Sequence, residues 1–491
     1  MTHLSRRSLL GAGLAAVAVA AIDVLPAQAG RKVHPHKGAA PFGNLTSIVD
    51  DGQLALPAGF TASRISTVGV EPLLADRYGA RVGATPSTLD GTGCFEVGNS
   101  IRLVRNHENR ADVDHTVPLV DGTVYDAGCA TGMGGVTVVE LNRSGRFIQQ
   151  WVGLSGCIRN CAGGETPWGS WLSCEEDTSR AGATVKNAKG ETSTLQQDHG
   201  YIFEVFPDVV AKQCPMPIKA WGRAVFEGAS IGPDRKSAYL TEDAADGLFY
   251  RWTAPHGTVI KPYIARQFDE NDGVLQAAQL VRNGIALRHY GELTADDLGK
   301  AYPVRWVDGG ADRQAQRSDL RKQFPGATVH HKVEGCWSDG KGLFFTLSYV
   351  DAKDAAKYGI DEDWGMIMYY DFKAQTLTMK EYFPAGNSLG AIVPGDDTEA
   401  IKQFNGPDNI TVSPFGTVMM CEDGDNPCSL ISWTPRSGSQ EFARDLADRG
   451  EWAGPAFTRR GDILFASVQS DCTYAITGPF KKYLTSNGRM K

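Results

Sequence analysis

Phe226-Glu-Gly-Ala-Ser-Ile-Gly-Pro-Asp-Arg-Lys-Ser-Ala-Tyr-Leu-Thr-Glu-Asp243, followed by Gly247-Leu-Phe-Tyr-Arg-Trp252, reads as strand, Pro/Asp turn, strand, loop, strand. The same order returns at Val333–Ser348 with Gly365–Asp371, at Pro407–Asp423 with Leu430–Trp433, and at Trp452–Gln469 with Tyr474–Thr477. Thr166–Glu176 with Gly200–Val205 makes another copy, and Val136–Ile148 a weaker one. Repeated strand units of this kind cannot cover their apolar faces alone and stack around an axis as propeller blades. The copies predict an all-β chain folded as a single six-bladed β-propeller. The 56 glycines, set among short β-branched and aromatic runs, point the same way. Apolar spacing over Leu275–Leu287, Thr294–Leu298 and Arg313–Gln323 reads instead as helix, which predicts a helical insertion at about 275–325 between blades.

In a hairpin, the first residue of one strand and the last of the next lie at the same end. Glu227 is therefore expected beside Glu242-Asp243, and Asp408 beside Glu422-Asp423. Glu334 opens its unit in the same way, and Glu175-Glu176 close theirs. Blades radiating from a channel would bring these ends to its mouth. Carboxylates so crowded cannot all stay ionised without cations, so a carboxylate-rich metal centre is expected there. For any single acid the competing role is capping a turn or filling a blade corner.

The stretch Asn160-Cys-Ala-Gly-Gly-Glu-Thr-Pro-Trp-Gly-Ser-Trp-Leu-Ser-Cys-Glu-Glu-Asp177 adds a thiol, Cys161, to this set. Thiolate suits soft or borderline metals, and paired carboxylates suit hard cations such as Ca²⁺ or Fe³⁺. His107, His199, His330 and His331 offer ring nitrogens that could serve metal or structure, and Cys157 could pair with Cys161 or bind metal. Cys174 and Cys421 alternate with apolar neighbours and read as core thiols. The 10 cysteines form no C-x-x-C pair, so zinc-finger and dithiol redox chemistry are not expected, and any disulfide connectivity stays open.

Ser5-Arg6-Arg7-Ser8-Leu9-Leu10, an apolar run from Leu14 to Ala21 and Ala27-Gln28-Ala29 form a twin-arginine signal peptide over residues 1–29. The mature chain is then 30–491, exported by the twin-arginine translocase to a periplasm or beyond. No later stretch could span a membrane, so no insertion is expected after cleavage. A formal net charge of -8 excludes a nucleic-acid partner that needs a basic face. A closed propeller leaves few free sheet edges, which suits a monomer.

Several of these segments together resemble one family. Asn106-His107-Glu108, Asn160–Glu176, His199-Gly-Tyr-Ile-Phe-Glu-Val205, Glu227-Gly-Ala and Thr241-Glu-Asp243 with Asp246-Gly247 are similar to PhoX-type alkaline phosphatases. So are Val333-Glu-Gly335, Pro407-Asp-Asn-Ile410, Cys421-Glu-Asp-Gly424 and Ala475-Ile-Thr-Gly-Pro479. The resemblance implies a six-bladed propeller, a mixed iron and calcium cluster, Fe³⁺ and Ca²⁺, and hydrolysis of small phosphomonoesters. It implies that Cys161 is a thiolate ligand to iron and that Glu175, Glu176, Glu227, Glu334 and Asp408 are metal ligands. Asn409, Glu108 and Glu422 would join them. Lys332 stands where the family carries an arginine that grips the substrate phosphate, so the resemblance implies a catalytic role for it. Lysine neutralises a phosphoryl oxygen as a point charge, without arginine's bidentate fork. The implied mechanism is in-line attack on phosphorus by a metal-bound oxygen. No G-x-S-x-G elbow supports a serine triad. Two other classes fit a propeller with acids at its mouth: a calcium-dependent lactonase or phosphotriesterase, and a non-catalytic binding platform.

Overall fold

Six antiparallel hairpins of like register organise the chain: Leu89–Val97 with Ser100–His107, Asn160–Glu165 with Trp171–Glu175, Phe226–Ile231 with Ser237–Glu242, Val333–Ser338 with Gly342–Leu347, Pro407–Val412 with Val418–Glu422, and Trp452–Phe457 with Ile463–Val468. They belong to a computed structural model that describes residues 42–110, 113–129, 133–385, 404–424 and 428–483. The expected signal peptide, residues 1–29, lies outside the described residues.

In every hairpin the first residue of strand one faces the last of strand two: Leu89 and His107, Asn160 and Glu175, Phe226 and Glu242, Val333 and Leu347, Pro407 and Glu422, Trp452 and Val468. The ladder then breaks within the next few residues and resumes with a shifted register, also in every hairpin. A β-bulge of this kind bends the strand and re-aims a side chain.

The six first strands lie side by side, each packed on the next, and the last returns to the first. Small residues make that approach possible. A Cβ added to Gly91 would stand 2.5 Å from the Cα of Ala162 in the following hairpin, and one on Gly454 would stand 2.3 Å from the carbonyl oxygen of Asp90. Gly228 and Gly335 approach Cys336 and Asn409 in the same way.

Outer strands widen the hairpins into sheets. Thr61–Thr67, near the start of the described chain, pairs with Cys472–Thr477 near its end, so the last hairpin's sheet holds both. The third and fourth hairpins share one ten-stranded sheet, because Ala301–Asp308 pairs with Val274–Arg282 on one side and Thr376–Pro384 on the other. The architecture is all-β and propeller-like, but this bridge means the sheets do not divide cleanly into six blades.

The expected helical insertion at about 275–325 is not helical. Val274–Arg282 is a strand paired on both sides, and Asn283-Gly284 turns it back to Ile285–Ala286. Both turn residues have positive φ, 53° and 84°, as a tight two-residue hairpin loop requires. Sheet pairing overrode an apolar spacing that helix and buried strand share. Ala295–Asp297 and Leu320–Gln323 are single 3₁₀ turns. Among the described residues the α-helix is Ala352–Tyr358, with Asp351 accepting the amide of Asp354 at its start and Gly359 at φ 68° closing it.

Ring closure yields a prediction. Gly454→Ala meets the Asp90 carbonyl at a φ of 57°, whereas Gly416→Ala has φ 85° but nothing within 4 Å. Thermal unfolding should show Gly416→Ala costing only left-handed strain, about 1–3 kcal/mol, and Gly454→Ala costing clearly more. Equal shifts in Tm would remove close approach as the reason for glycine at 454.

Candidate metal centre

The bulge falls at the second and third residues of the first strand in five hairpins and one residue later, at Gly454-Pro455, in the sixth. The second residues of the six first strands are Asp90, Cys161, Glu227, Glu334, Asp408 and Ala453. The residues just after each second strand are Glu108, Glu176, Asp243, Ser348, Asp423 and Gln469. Strand pairing puts both sets at the same end of the ring. Their ligand atoms gather in three groups, each within 4.8 Å: Asp90, Glu108 and Cys161; Cys161, Glu176 and Glu227; Glu227, Glu334 and Asp408. Cys161 and Glu227 each belong to two groups, so the three form one continuous run.

Polar tethers fix this run. The Asn106 amide donates to the carbonyls of Cys161 and Ala162, both at 2.8 Å, and its oxygen accepts from the Trp171 indole at 3.0 Å. Gln469 donates to Asp90 at 2.9 Å and to Glu108 at 3.0 Å, which ties the last hairpin to the first. Thr346 donates to the Asp408 carbonyl at 2.5 Å. Asn409 holds Glu227 and Asp408 through its amide, at 3.2 and 3.3 Å, while its oxygen accepts from Gly454 N at 2.9 Å. Asn409 thus spaces two acids of the run.

The acidic doublets divide their work. Successive strand residues face opposite ways, so neighbours cannot both point to the axis. Glu176 enters the run; Glu175, before it, accepts from the amides of Ile158, Gly200 and Tyr201 at 3.0, 2.9 and 3.2 Å. Glu422 likewise accepts from Asn405 N and Ser429 N at 3.1 and 3.0 Å, and Glu242 from the Tyr250 hydroxyl at 2.5 Å. Glu175 and Glu422 stand outside every three-residue group found among the described residues.

Among the described residues, Lys332 and Arg159 pair with acids of the run and its rim, while Arg321 pairs with the outward Glu242. Lys332 Nζ lies 2.9 Å from Glu334 and 3.3 Å from Asp243. Arg159 Nη2 lies 2.5 Å from Glu108 and 2.7 Å from Glu176. Even so, burial and the nearby Glu108 push Asp90 up to about 8, and burial with Asp423 does the same for Asp408. Glu176, Glu227 and Glu334 rise well above the usual carboxylate range, through burial first and then Asp243, Asp408 and Asp243 respectively. Burial and Asp90 raise the Cys161 thiol. Glu176 Oε1 is buried with no hydrogen-bond partner. A thiol, convergent carboxylates and an orphaned oxygen are the donor set that cations fit.

Asp126, Cys129 and His199 form a separate group. His199 Nδ1 is 2.7 Å from Glu175 and Nε2 is 3.3 Å from Asp126. Burial opposes its charge, but the two carboxylates outweigh burial and hold its pKa up to about 12. His107 bonds the Ser87 carbonyl and Thr137, and His331 pairs with Asp354 at 3.0 Å. His330 is buried beside His289. All ten cysteines are buried and among the described residues none forms a disulfide, Cys157 included. Sequence reasoning missed Asp90, Arg159 and Glu451. The Asp-Gly step at 90–91 repeats the Glu-Gly steps at 227–228 and 334–335 and could have found the first.

The site and fold define a propeller-like protein with a buried centre of carboxylates and one thiol where its six first strands meet. The sequence profile described as "Alkaline phosphatase PhoX" matches residues 40–152 and 146–471. The chain belongs to the PhoX alkaline phosphatase family and is a metal-dependent phosphatase. Its fold is similar to that of Pseudomonas fluorescens PhoX, solved in complex with vanadate, a transition state analogue. That similarity has a TM-score of 0.61 at 16% identity and covers 89% of this chain and 97% of that one. A Xanthomonas campestris gluconolactonase (TM-score 0.33, 11% identity, 85% and 98% coverage) and Trypanosoma rangeli sialidase (0.36, 8%, 86% and 60%) are too distant to bear on the fold. No curated protein sequence matches the chain.

Two predictions test this geometry. Glu175→Gln should leave metal content unchanged but cost about 3–5 kcal/mol of stability, since it strips a charge from buried His199. Glu176→Gln should reverse that pattern, with bound metal measured by plasma mass spectrometry and stability by thermal melting. The second concerns pH. Asp90 and Asp408 bind protons in the fold up to about 8 but only to their ordinary 3.8 when unfolded. Between those values the folded state holds more protons, so metal-stripped protein should lose stability as pH rises from about 4 towards about 8, by at most about 1.4 kcal/mol per unit for each group. A Tm of chelated protein that climbs across this range would contradict the crowding.

Proposed function

We propose that this protein is an exported phosphomonoesterase whose axial centre takes both iron, near Cys161, and calcium, among the carboxylates. The observation that carries this reading is the continuous run from Asp90 through Cys161 and Glu227 to Asp408, which offers more ligand positions than one cation can use. Asp90, Glu108, Cys161, Glu176, Glu227, Glu334 and Asp408 would hold the ions, with Asp243, Asp423 and Glu451 close by. Six equivalent hairpins around one axis support six blades, two of them fused by the shared sheet. The twin-arginine sequence supports export, and among the described residues no helix is long and apolar enough to cross a membrane.

The cations, when bound, supply Lewis acidity that neutralises a phosphate dianion and lowers the pKa of water. The chain's own residues do the rest. Inward carboxylates fix where positive charge sits, Lys332 presents a protonated amine to the phosphoryl oxygens, and the tethers of Asn106, Asn409 and Gln469 hold the acids in register. Burial pushes the Lys332 neighbourhood towards low dielectric, and Asp243 and Glu334 outweigh that burial to keep its ammonium charged. A calcium-only lactonase would have no use for a thiol in the run, so Cys161 favours the phosphatase.

Protein from its native source should contain iron and calcium, hydrolyse p-nitrophenyl phosphate and lose that activity on chelation. Cys161→Ser should lose iron and at least about 100-fold in kcat/KM while its melting transition remains cooperative. Full turnover by demetallated protein would falsify the metal mechanism, and a Cys161→Ser enzyme with intact iron would remove the thiol from the centre.

A further inference from the structure

Arg159 stands two residues before Cys161, and Lys332 stands two residues before Glu334. Cys161 and Glu334 are both second residues of first strands, so the two cations hold equivalent places in two repeats. Both have left-handed backbones, φ 52° for Arg159 and 80° for Lys332. Thr88 and Gly406, at the same place in two other hairpins, share it at 51° and 57°, so the hairpin entry sets this backbone. Both head groups also turn to the acid run: Lys332 to Glu334 and Asp243, Arg159 to Glu108 and Glu176. The Arg159 side chain is 12% exposed and that of Lys332 18%, so each keeps some access to solvent.

We propose that Arg159 is a phosphate-binding residue of this enzyme, supplying the bidentate grip that lysine at 332 cannot make. The proposal rests on the phosphomonoesterase reading above. Its basis is the fork itself. Arg159 Nε and Nη2 both donate to Glu108 Oε1, at 3.1 and 2.5 Å, and Nη2 also donates to Glu176 Oε2 at 2.7 Å. Nη1 meanwhile donates to the Glu176 carbonyl at 3.1 Å, which fixes the plane of the guanidinium. Glu108 and Glu176 are also members of the ligand groups, so their oxygens are the ones cations would claim. A phosphoryl dianion presents paired oxygens that match the same N–H edge. The repeat thus places a guanidinium and an ammonium at corresponding points around the acids, where they can take two different phosphoryl oxygens.

The test compares wild type, Arg159→Lys and Arg159→Gln, each with its metal content measured. Binding of inorganic phosphate is followed by calorimetry, and hydrolysis of p-nitrophenyl phosphate separately. At metal content equal to wild type, Arg159→Gln should weaken phosphate binding about 10- to 100-fold, a range set by charged hydrogen bonds of about 1.5–3 kcal/mol. Arg159→Lys should fall between, because it keeps the charge and loses the fork. Phosphate affinity within twofold of wild type in Arg159→Gln overturns the proposal, while hydrolysis by wild type leaves the phosphatase reading standing. Loss of metal in both variants, with unchanged phosphate affinity in the loaded fraction, also overturns it and makes Arg159 only a clamp on Glu108 and Glu176. A wild type that neither hydrolyses the ester nor binds phosphate overturns both readings.

Discussion

Mutual repulsion among buried carboxyl groups is the constraint on which the rest of this structure turns. Two ionised carboxylates about 4 Å apart repel by about 4 kcal/mol at an effective dielectric of about 20. A few such pairs equal the whole stability of an ordinary domain, about 5–15 kcal/mol. The chain nevertheless brings Glu227, Glu334 and Asp408 together from three separate hairpins. It can do so because the frame is stiff at that point. Six first strands approach backbone to backbone, each bulged near its start, and side-chain amides of Asn106, Asn409 and Gln469 tie acids and backbone of different hairpins to one another.

The strand pleat limits the crowding further, because only one acid of each doublet can face the axis. If Glu175 and Glu176 both turned inward, the strand would have to abandon its pleat. Glu175 instead neutralises His199 and collects three backbone amides, so the loop that carries Gly200 and Tyr201 is pinned to the end of the strand bearing Glu176. Asp126 closes the arrangement from the other side of the imidazole and accepts the amides of Gly128, Gln196 and Gln197. The outward acid thus secures the strand end from which the inward one projects. Glu422 does the same for Asp423 by joining Asn405 to Ser429.

How much of this could be read from sequence depends on which signals are local. The copies at 226–243, 333–348, 407–423 and 452–469 carry their turns and their opening residues within a few positions of each other, and all four became hairpins. The first hairpin escaped notice because it closes on a tight Gly98-Asn99 turn and its two acids, Asp90 and Glu108, stand alone rather than in doublets. Val274–Arg282 was misread because its partners, Phe249–Thr253 and Ala301–Asp308, are what make it a strand, and periodicity alone does not display partners. Asn283-Gly284 was the local clue that outranked the apolar spacing. Facing of side chains inside a doublet was legible in principle from the two-residue period, but only once the strand end was fixed.

Charge arithmetic supports the proposed reading of several ions rather than one. Asp90, Glu108, Glu176, Glu227, Asp243, Glu334, Asp408, Asp423 and Glu451, nine carboxyl groups, interact around the Cys161 thiol, while Arg159 and Lys332 bring two positive charges. One divalent cation added to those two would leave at least five carboxylates to be held by protons. Protonation is what burial enforces on Asp90 and Asp408 below about 8, yet an acid that keeps its proton is a poor ligand. Multiple cations, as proposed, would resolve the conflict by letting the carboxyl groups ionise and coordinate together. The repeat is uneven at this end: Ala453 and Gln469 carry no charge at the two ring positions of the sixth hairpin, and Glu451, the residue before it, brings a buried carboxyl to Asp423, Glu108 and Asp408 instead.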